Sequence, residues 1–127
     1  KVQELAYIPC HAFAAGELKH GPIALIDNKT TCIILLTEDN YGEKLLANIA
    51  EIQARQGNIL VIGSDKMISR IEKQQSISSI LLPTNIATHT TSFLHIICIQ
   101  LLAYHLANTK SCAIDKPRNL AKCVTVE

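Results

Sequence analysis

Three short apolar runs mark the chain; helical spacing separates the first two and follows the third, and a loop is predicted between the second and third. The first, Thr31 to Leu36, is continuous rather than alternating. Such a run suits a strand covered on both faces, as in a parallel sheet. Asn58 to Ile62 and Ile77 to Leu82 repeat the pattern, and Pro83 closes the last. Between the first two runs, Asn40 with Glu43 three residues later is a capping-box signal. Leu45, Leu46, Ile49 and Ile52 then follow helical spacing, and Gly57 suits a C-terminal stop. A long helix is predicted from about Ile86 to Ala107, carrying Phe93, Leu94, Ile97, Leu101, Leu102 and Tyr104. It is apolar nearly all round, so it is expected to be central or at a subunit interface.

The ends are less periodic. Lys1 to Tyr7 fits the end of a helix, which Pro9 stops. Gly16, Gly21 and Pro22 leave room for one helical turn at most, so residues 12–22 read as a compact loop. Asp115 to Glu127 forms a tail. Strands alternating with helices predict an α/β layer structure with a parallel sheet and right-handed crossovers. Three strands are few for such a sheet, and the sole methionine is Met67. The chain is therefore expected to be part of a longer protein whose leading strands are missing here.

Composition narrows the partners. Net charge is +1, 18% of residues are charged and 4% are aromatic. Scattered basic residues and so few rings argue against nucleic acid and against an anionic membrane surface. The five cysteines are odd in number and lack metal-ligand spacing, which reads as reduced, intracellular thiols. No signal peptide is visible. The most apolar stretch, Ser92 to Ala107, is interrupted by His95, Gln100 and His105, short of the ~20 apolar residues of a membrane span.

Several residues carry possible chemistry. Lys1 and Glu4, at i and i+3, read as an acid–base pair or as an ordinary surface pair. His20 sits in the compact loop, a favoured place for function, but a lone loop histidine is commonly solvated. Lys122 is a Schiff-base nucleophile only if its surroundings lower its pKa; otherwise it is a solvated terminal lysine. His11, His89, His95 and His105 show no ligand spacing and read as structural or interface residues. Neither common glycine-rich phosphate loop is present. No metal and no cofactor is expected.

Two stretches carry a family resemblance. Residues 14–27 (Ala-Ala-Gly-Glu-Leu-Lys-His-Gly-Pro-Ile-Ala-Leu-Ile-Asp) and 117–127 (Pro-Arg-Asn-Leu-Ala-Lys-Cys-Val-Thr-Val-Glu) closely resemble the C-terminal isomerase region of the glutamine–fructose-6-phosphate aminotransferases. Residues 101–105 (Leu-Leu-Ala-Tyr-His) fit as well. The resemblance implies a parallel-sheet SIS (sugar isomerase) domain, flavodoxin-like and layered α/β/α, incomplete at its N-terminus. Residues 1–114 would be the later portion of the second SIS domain, and residues 115–127 a C-terminal catalytic tail. It further implies Schiff-base ketose–aldose isomerisation, making glucosamine 6-phosphate from fructose 6-phosphate and glutamine-derived ammonia. Lys122 matches the Schiff-base lysine, His20 the ring-opening histidine and Glu4 the general base. Lys1 stands beside Glu4, and Ala121 matches a substrate-binding position.

The implied partners are the glutaminase and first SIS domains of an intact, cytoplasmic, homodimeric enzyme, with His20 serving the neighbouring subunit. The family's phosphate-gripping loops and glutamine-hydrolysing cysteine lie in those other domains, so these 127 residues alone are expected to be inert. The chain departs from the family pattern at Phe13, usually tyrosine, and at Cys123, commonly serine. It also has Pro9-Cys10-His11 where His-Ala-Glu is common. A phosphosugar deaminase or deglycase with a SIS domain, or a SIS domain that binds phosphosugar without turnover, are the alternatives.

Overall fold

The computed structural model describes residues 1–71 and 77–118. They separate into two compact units: residues 1–12 with the chain from Ile96 onward, and Phe13–His95.

Phe13–His95 holds the sheet. Strand β1 (Thr31–Leu35), β2 (Asn58–Ser64) and β3 (Ile77–Leu82) lie in the order β1-β2-β3, all parallel. Thr31 pairs with Asn58, and Ile59 with Ile77. Helix α2 (Asn40–Gln53) makes the first crossover, and the single turn α3 (Asp65–Ile68) follows β2 directly. Period-2 alternation sends Ile59 and Val61 to the α2 face. There they pack with Leu18, Leu36, Ile49, Ile52, Met67 and Ile71 in the main core, against which Cys32 and Ile34 of β1 also lie. On the opposite face Ile62 is fully buried, but Ile33 and Leu35 of β1 are about two-fifths exposed. The continuous apolar runs thus form a parallel sheet as expected, with its second face covered only in part.

Local chemistry shifts several boundaries. The N-cap of α2 is Asp39, one residue before the predicted Asn40. Asp39 Oδ1 accepts the Tyr41 and Gly42 N–H groups, at 2.9 and 2.8 Å, and the Thr37 hydroxyl at 2.9 Å. Glu43 forms no capping box: Arg70 takes both its oxygens in a bidentate pair. Gly57 is not the left-handed residue after α2. Gln56 holds that conformation, at φ 63°. Gly57 is needed for space instead, because a Cβ there would lie 2.8 Å from Ile26 Cγ2 and 2.9 Å from Ile52 Cγ2. Residues 15–20 and 22–25 are two 3₁₀ turns rather than one turn in a loop.

The cap gives a pH prediction. The Gly42 N–H, then the Thr37 hydroxyl and the Tyr41 N–H, hold the Asp39 carboxyl below its ordinary range. A depressed carboxylate contributes stability that is full above its unfolded pKa and lost as pH falls through its folded one. Asparagine caps about as well but does not titrate. Asp39→Asn is therefore expected to leave the unfolding midpoint at pH 7 within about 2 °C of the parent. Between pH 5 and pH 3 it should remove part of the acid-side loss, as thermal unfolding across that range would read. An unchanged acid-side slope would contradict this role for the cap.

Helix α4 (Thr88–Thr109) runs 22 residues. Its first turns, to His95, belong to the sheet's unit. His95 is buried, and its Nε2 lies 3.0 Å from the Ile62 carbonyl. A carbonyl only accepts, so that nitrogen carries the proton. His95 is thus structural, as expected. From Ile96 the helix belongs to the other unit, where Ala103 and Ala107 are fully buried while Ile96, Ile97, Leu101 and Tyr104 are about half exposed. The helix is amphipathic in its surroundings although not in its composition. By length and composition it is also one helix that could cross a membrane, which corrects the shorter apolar count from Ser92 to Ala107. The difference arises because uncharged Thr, His and Asn extend the helix at both ends. The buried His95 contact makes its first part a core element.

Candidate active site

The candidate site begins on α1, the short helix Val2–Ala6. Residues three apart share a helix face, and Lys1 Nζ lies 2.8 Å from Glu4 Oε2. Glu4 is part-buried, with 29% of its side chain exposed, and Lys1 is more open. The hydrogen bond from Lys1 holds the Glu4 carboxyl below its ordinary range, against a smaller opposing effect of burial. Glu4 is therefore held as a carboxylate, a form able to accept a proton.

The same helix meets the far end of the chain. Tyr7 ends α1 in the left-handed conformation, φ 55° and ψ 35°, which costs a non-glycine residue about 1–2 kcal/mol. Lys110 Nζ donates to the Ala6 carbonyl at 2.7 Å. The Arg118 guanidinium stacks 4.0 Å from the centroid of the Tyr7 ring, and the Arg118 N–H donates to the Tyr7 hydroxyl at 3.0 Å. Pro117, just before it, is buried. The root of the tail is thus fixed beside the helix that bears Glu4.

His20 belongs to the sheet's unit. It closes the first 3₁₀ turn, Ala15–His20, and Gly21 follows at φ 133°, a conformation that favours glycine. Leu18 anchors the turn in the core, and Lys19 Nζ pairs with Glu51 Oε1 at 2.8 Å. With those two neighbours tied down, the exposed His20 is presented on a fixed turn. Ala121 and Lys122 lie outside the described residues. Of the five site residues expected from sequence, the structure joins Lys1 and Glu4 directly.

Two features were not anticipated from the sequence. One is the Tyr7–Arg118 contact. The other is a cleft of about 230 Å³ at the C-terminal ends of the strands, lined by Leu36, Glu38, Ser64, Asn85 and Thr91 among others. Open parallel sheets bind ligands at that edge, but the volume falls below the ~300 Å³ of ordinary ligand pockets. Glu38 is paired there with Lys66 at 3.3 Å. Among the described residues no cluster of three or more His, Cys, Asp or Glu could hold a metal ion. Cys10, Cys32, Cys98 and Cys112 are free thiols.

The family model for the SIS domain matches residues 1–110. The chain belongs to the SIS-domain family. Glutamine–fructose-6-phosphate aminotransferase (isomerizing) of Bartonella quintana is 43% identical over 127 residues, all of this chain and 21% of that protein. Its namesake from Methanosarcina acetivorans is 41% identical over 127 residues, all of this chain and 20% of that protein. A solved structure, the C-terminal domain of glucosamine-fructose-6-phosphate aminotransferase from Francisella tularensis, superposes with a TM-score of 0.80 at 28% identity. That superposition covers 91% of this chain and 32% of the other. The chain thus spans about a fifth of the length of the curated relatives it matches. The SIS match stops at residue 110, before the tail, while the two relatives match through it.

Proposed function

We propose that this SIS domain is the C-terminal part of a glutamine–fructose-6-phosphate aminotransferase, and that it supplies the isomerase chemistry. Residues 1–114 form the later portion of the second SIS domain and residues 115–127 the catalytic tail. The intact enzyme is a cytoplasmic homodimer that also carries glutaminase and first SIS domains. His20, on its fixed turn, opens the sugar ring in the partner subunit's site by moving a proton between the ring oxygen and the anomeric hydroxyl. The neutral Lys122 amine adds to the C2 ketone of fructose 6-phosphate and expels water, giving an imine. Ammonia from glutamine displaces Lys122 and keeps its nitrogen at C2. Glu4 takes a proton from C1 and returns it to C2, leaving an aldehyde at C1 and an amine at C2: glucosamine 6-phosphate. Lys1 keeps Glu4 ionised and faces O1, and the Ala121 backbone lies beside the sugar.

One observation carries the reading. The Lys1–Glu4 pair and the root of the lysine-bearing tail meet on the same short helix. A Schiff-base isomerase needs a carboxylate base and an amine in one site, and the stretch that leads to Lys122 starts beside the helix that bears Glu4. Similarity along all of this chain to about a fifth of each of two proteins named for this reaction supports it. The test is to incubate the intact enzyme with fructose 6-phosphate and sodium borohydride, which reduces an imine to a stable secondary amine, and to map the modified lysine. Modification at Lys122 is expected. Modification at another lysine, or none, would sink the assignment.

A further inference from the structure

We infer that Tyr7 and Arg118 form a clamp that sets where the tail departs, which makes Tyr7 a positioning residue for Lys122. The consequence for Lys122 rests on the function proposed above; the clamp itself does not. Its two halves differ in kind. The ring face of Tyr7 takes the Arg118 guanidinium at 4.0 Å, and the hydroxyl takes the Arg118 backbone N–H at 3.0 Å. A side-chain contact alone fixes a side chain, whereas a bond to backbone fixes the path of the chain. Tyr7 also holds a left-handed conformation that tyrosine seldom adopts. Strain of that kind persists only where its surroundings enforce it, and it concentrates at functional sites.

Chain length turns the clamp into a number. Lys122 follows Arg118 by four residues, so with the clamp closed its Cα lies within about 14 Å of that of Arg118. With the clamp open, the last preceding residue tied by a backbone hydrogen bond is Cys112, whose N–H donates to the Ala107 carbonyl at 2.9 Å. Lys122 is ten residues beyond it, a reach of roughly 33 Å. Lengthening the free stretch about 2.5-fold lowers the effective concentration of the amine at any one point by about 4-fold for a flexible chain, and by about 15-fold if the whole reach is sampled.

The test uses the intact enzyme and two variants. Tyr7→Leu removes both halves of the clamp, while Tyr7→Phe keeps the ring face and loses only the hydroxyl. Tyr7→Leu is expected to slow borohydride trapping at Lys122, and to lower kcat for the sugar product, by about 4–15-fold. Tyr7→Phe should fall in between, and glutaminase turnover, read alongside, should hold in both. Amide hydrogen exchange at Arg118 should accelerate in both variants. Trapping at the parent rate in Tyr7→Leu, or unchanged exchange at Arg118 in Tyr7→Phe, would overturn the clamp. If Tyr7→Leu also loses glutaminase turnover, Tyr7→Phe decides alone. Should the parent enzyme trap no imine at Lys122 while Tyr7→Phe still speeds exchange at Arg118, the clamp stands and the Schiff-base reading fails.

Discussion

Glu4→Gln in the intact enzyme is expected to lower kcat for glucosamine 6-phosphate by about 10²–10⁴-fold, the usual contribution of a positioned acid–base group, with glutaminase turnover retained. The amide keeps the shape and a hydrogen-bond acceptor but cannot take a proton from C1. Borohydride trapping should persist, because the imine forms before Glu4 acts. The companion variant, Lys1→Met, tests whether Lys1 keeps Glu4 ionised. The Lys1 ammonium depresses the Glu4 pKa chiefly through its hydrogen bond. Removing it raises that pKa, so less carboxylate survives at acid pH. The acid limb of the kcat/KM profile should then move to higher pH, while the rate near neutrality changes less. A profile that stays in place would mean that the 2.8 Å contact has no part in preparing the base.

Gly42→Ala should destabilise the sheet's unit by about 3 kcal/mol, at the upper end of overpacking costs. Helix propensity alone points the other way, since alanine gains about 1 kcal/mol over glycine inside a helix. Geometry decides the sign. A Cβ at Gly42 would sit 1.9 Å from the Thr37 carbonyl oxygen and 3.0 Å from its carbon. These atoms are backbone, so no side chain can swing aside. Relief requires the first turn of α2 to lift off the segment following β1, and that loosens the Gly42 N–H bond to Asp39. Denaturant unfolding of parent and variant would read the loss; a gain in stability would refute the close approach.

Sequence pattern resolved most of this fold because its elements are bounded by local signals. The strands are short Ile- and Leu-rich runs, and the spacing of Leu45, Leu46, Ile49 and Ile52 places α2 correctly. The N-cap was misplaced by one residue because Asn40 and Glu43 fit the capping-box pattern, while Asp39, backed by Thr37, makes the bonds. Helix α3, only four residues long, is too short to show a period. Within the site, Lys1 and Glu4 were legible because they are near neighbours on one face. Tyr7 and Arg118 were not. They are 111 residues apart, and no spacing rule links a ring at the end of one helix to a guanidinium after another.

The bond from Lys110 to Ala6 joins positions 104 residues apart, and this separation orders events during synthesis. The sheet's unit is built from one continuous stretch, Phe13–His95, so its contacts become available as the ribosome extends the chain. Helix α1 leaves the ribosome earlier but finds its partners last. Its end at Ala6 and Tyr7 stays without Lys110 and Arg118 until the chain beyond α4 has emerged. Contacts of such long range also form slowly. The helix that bears Glu4 and the residues that follow α4 are therefore brought together only after that later stretch has been made. A ribosome that stops short of residue 110 releases a chain that holds the whole Phe13–His95 stretch but neither Lys110 nor Arg118 to meet the end of α1.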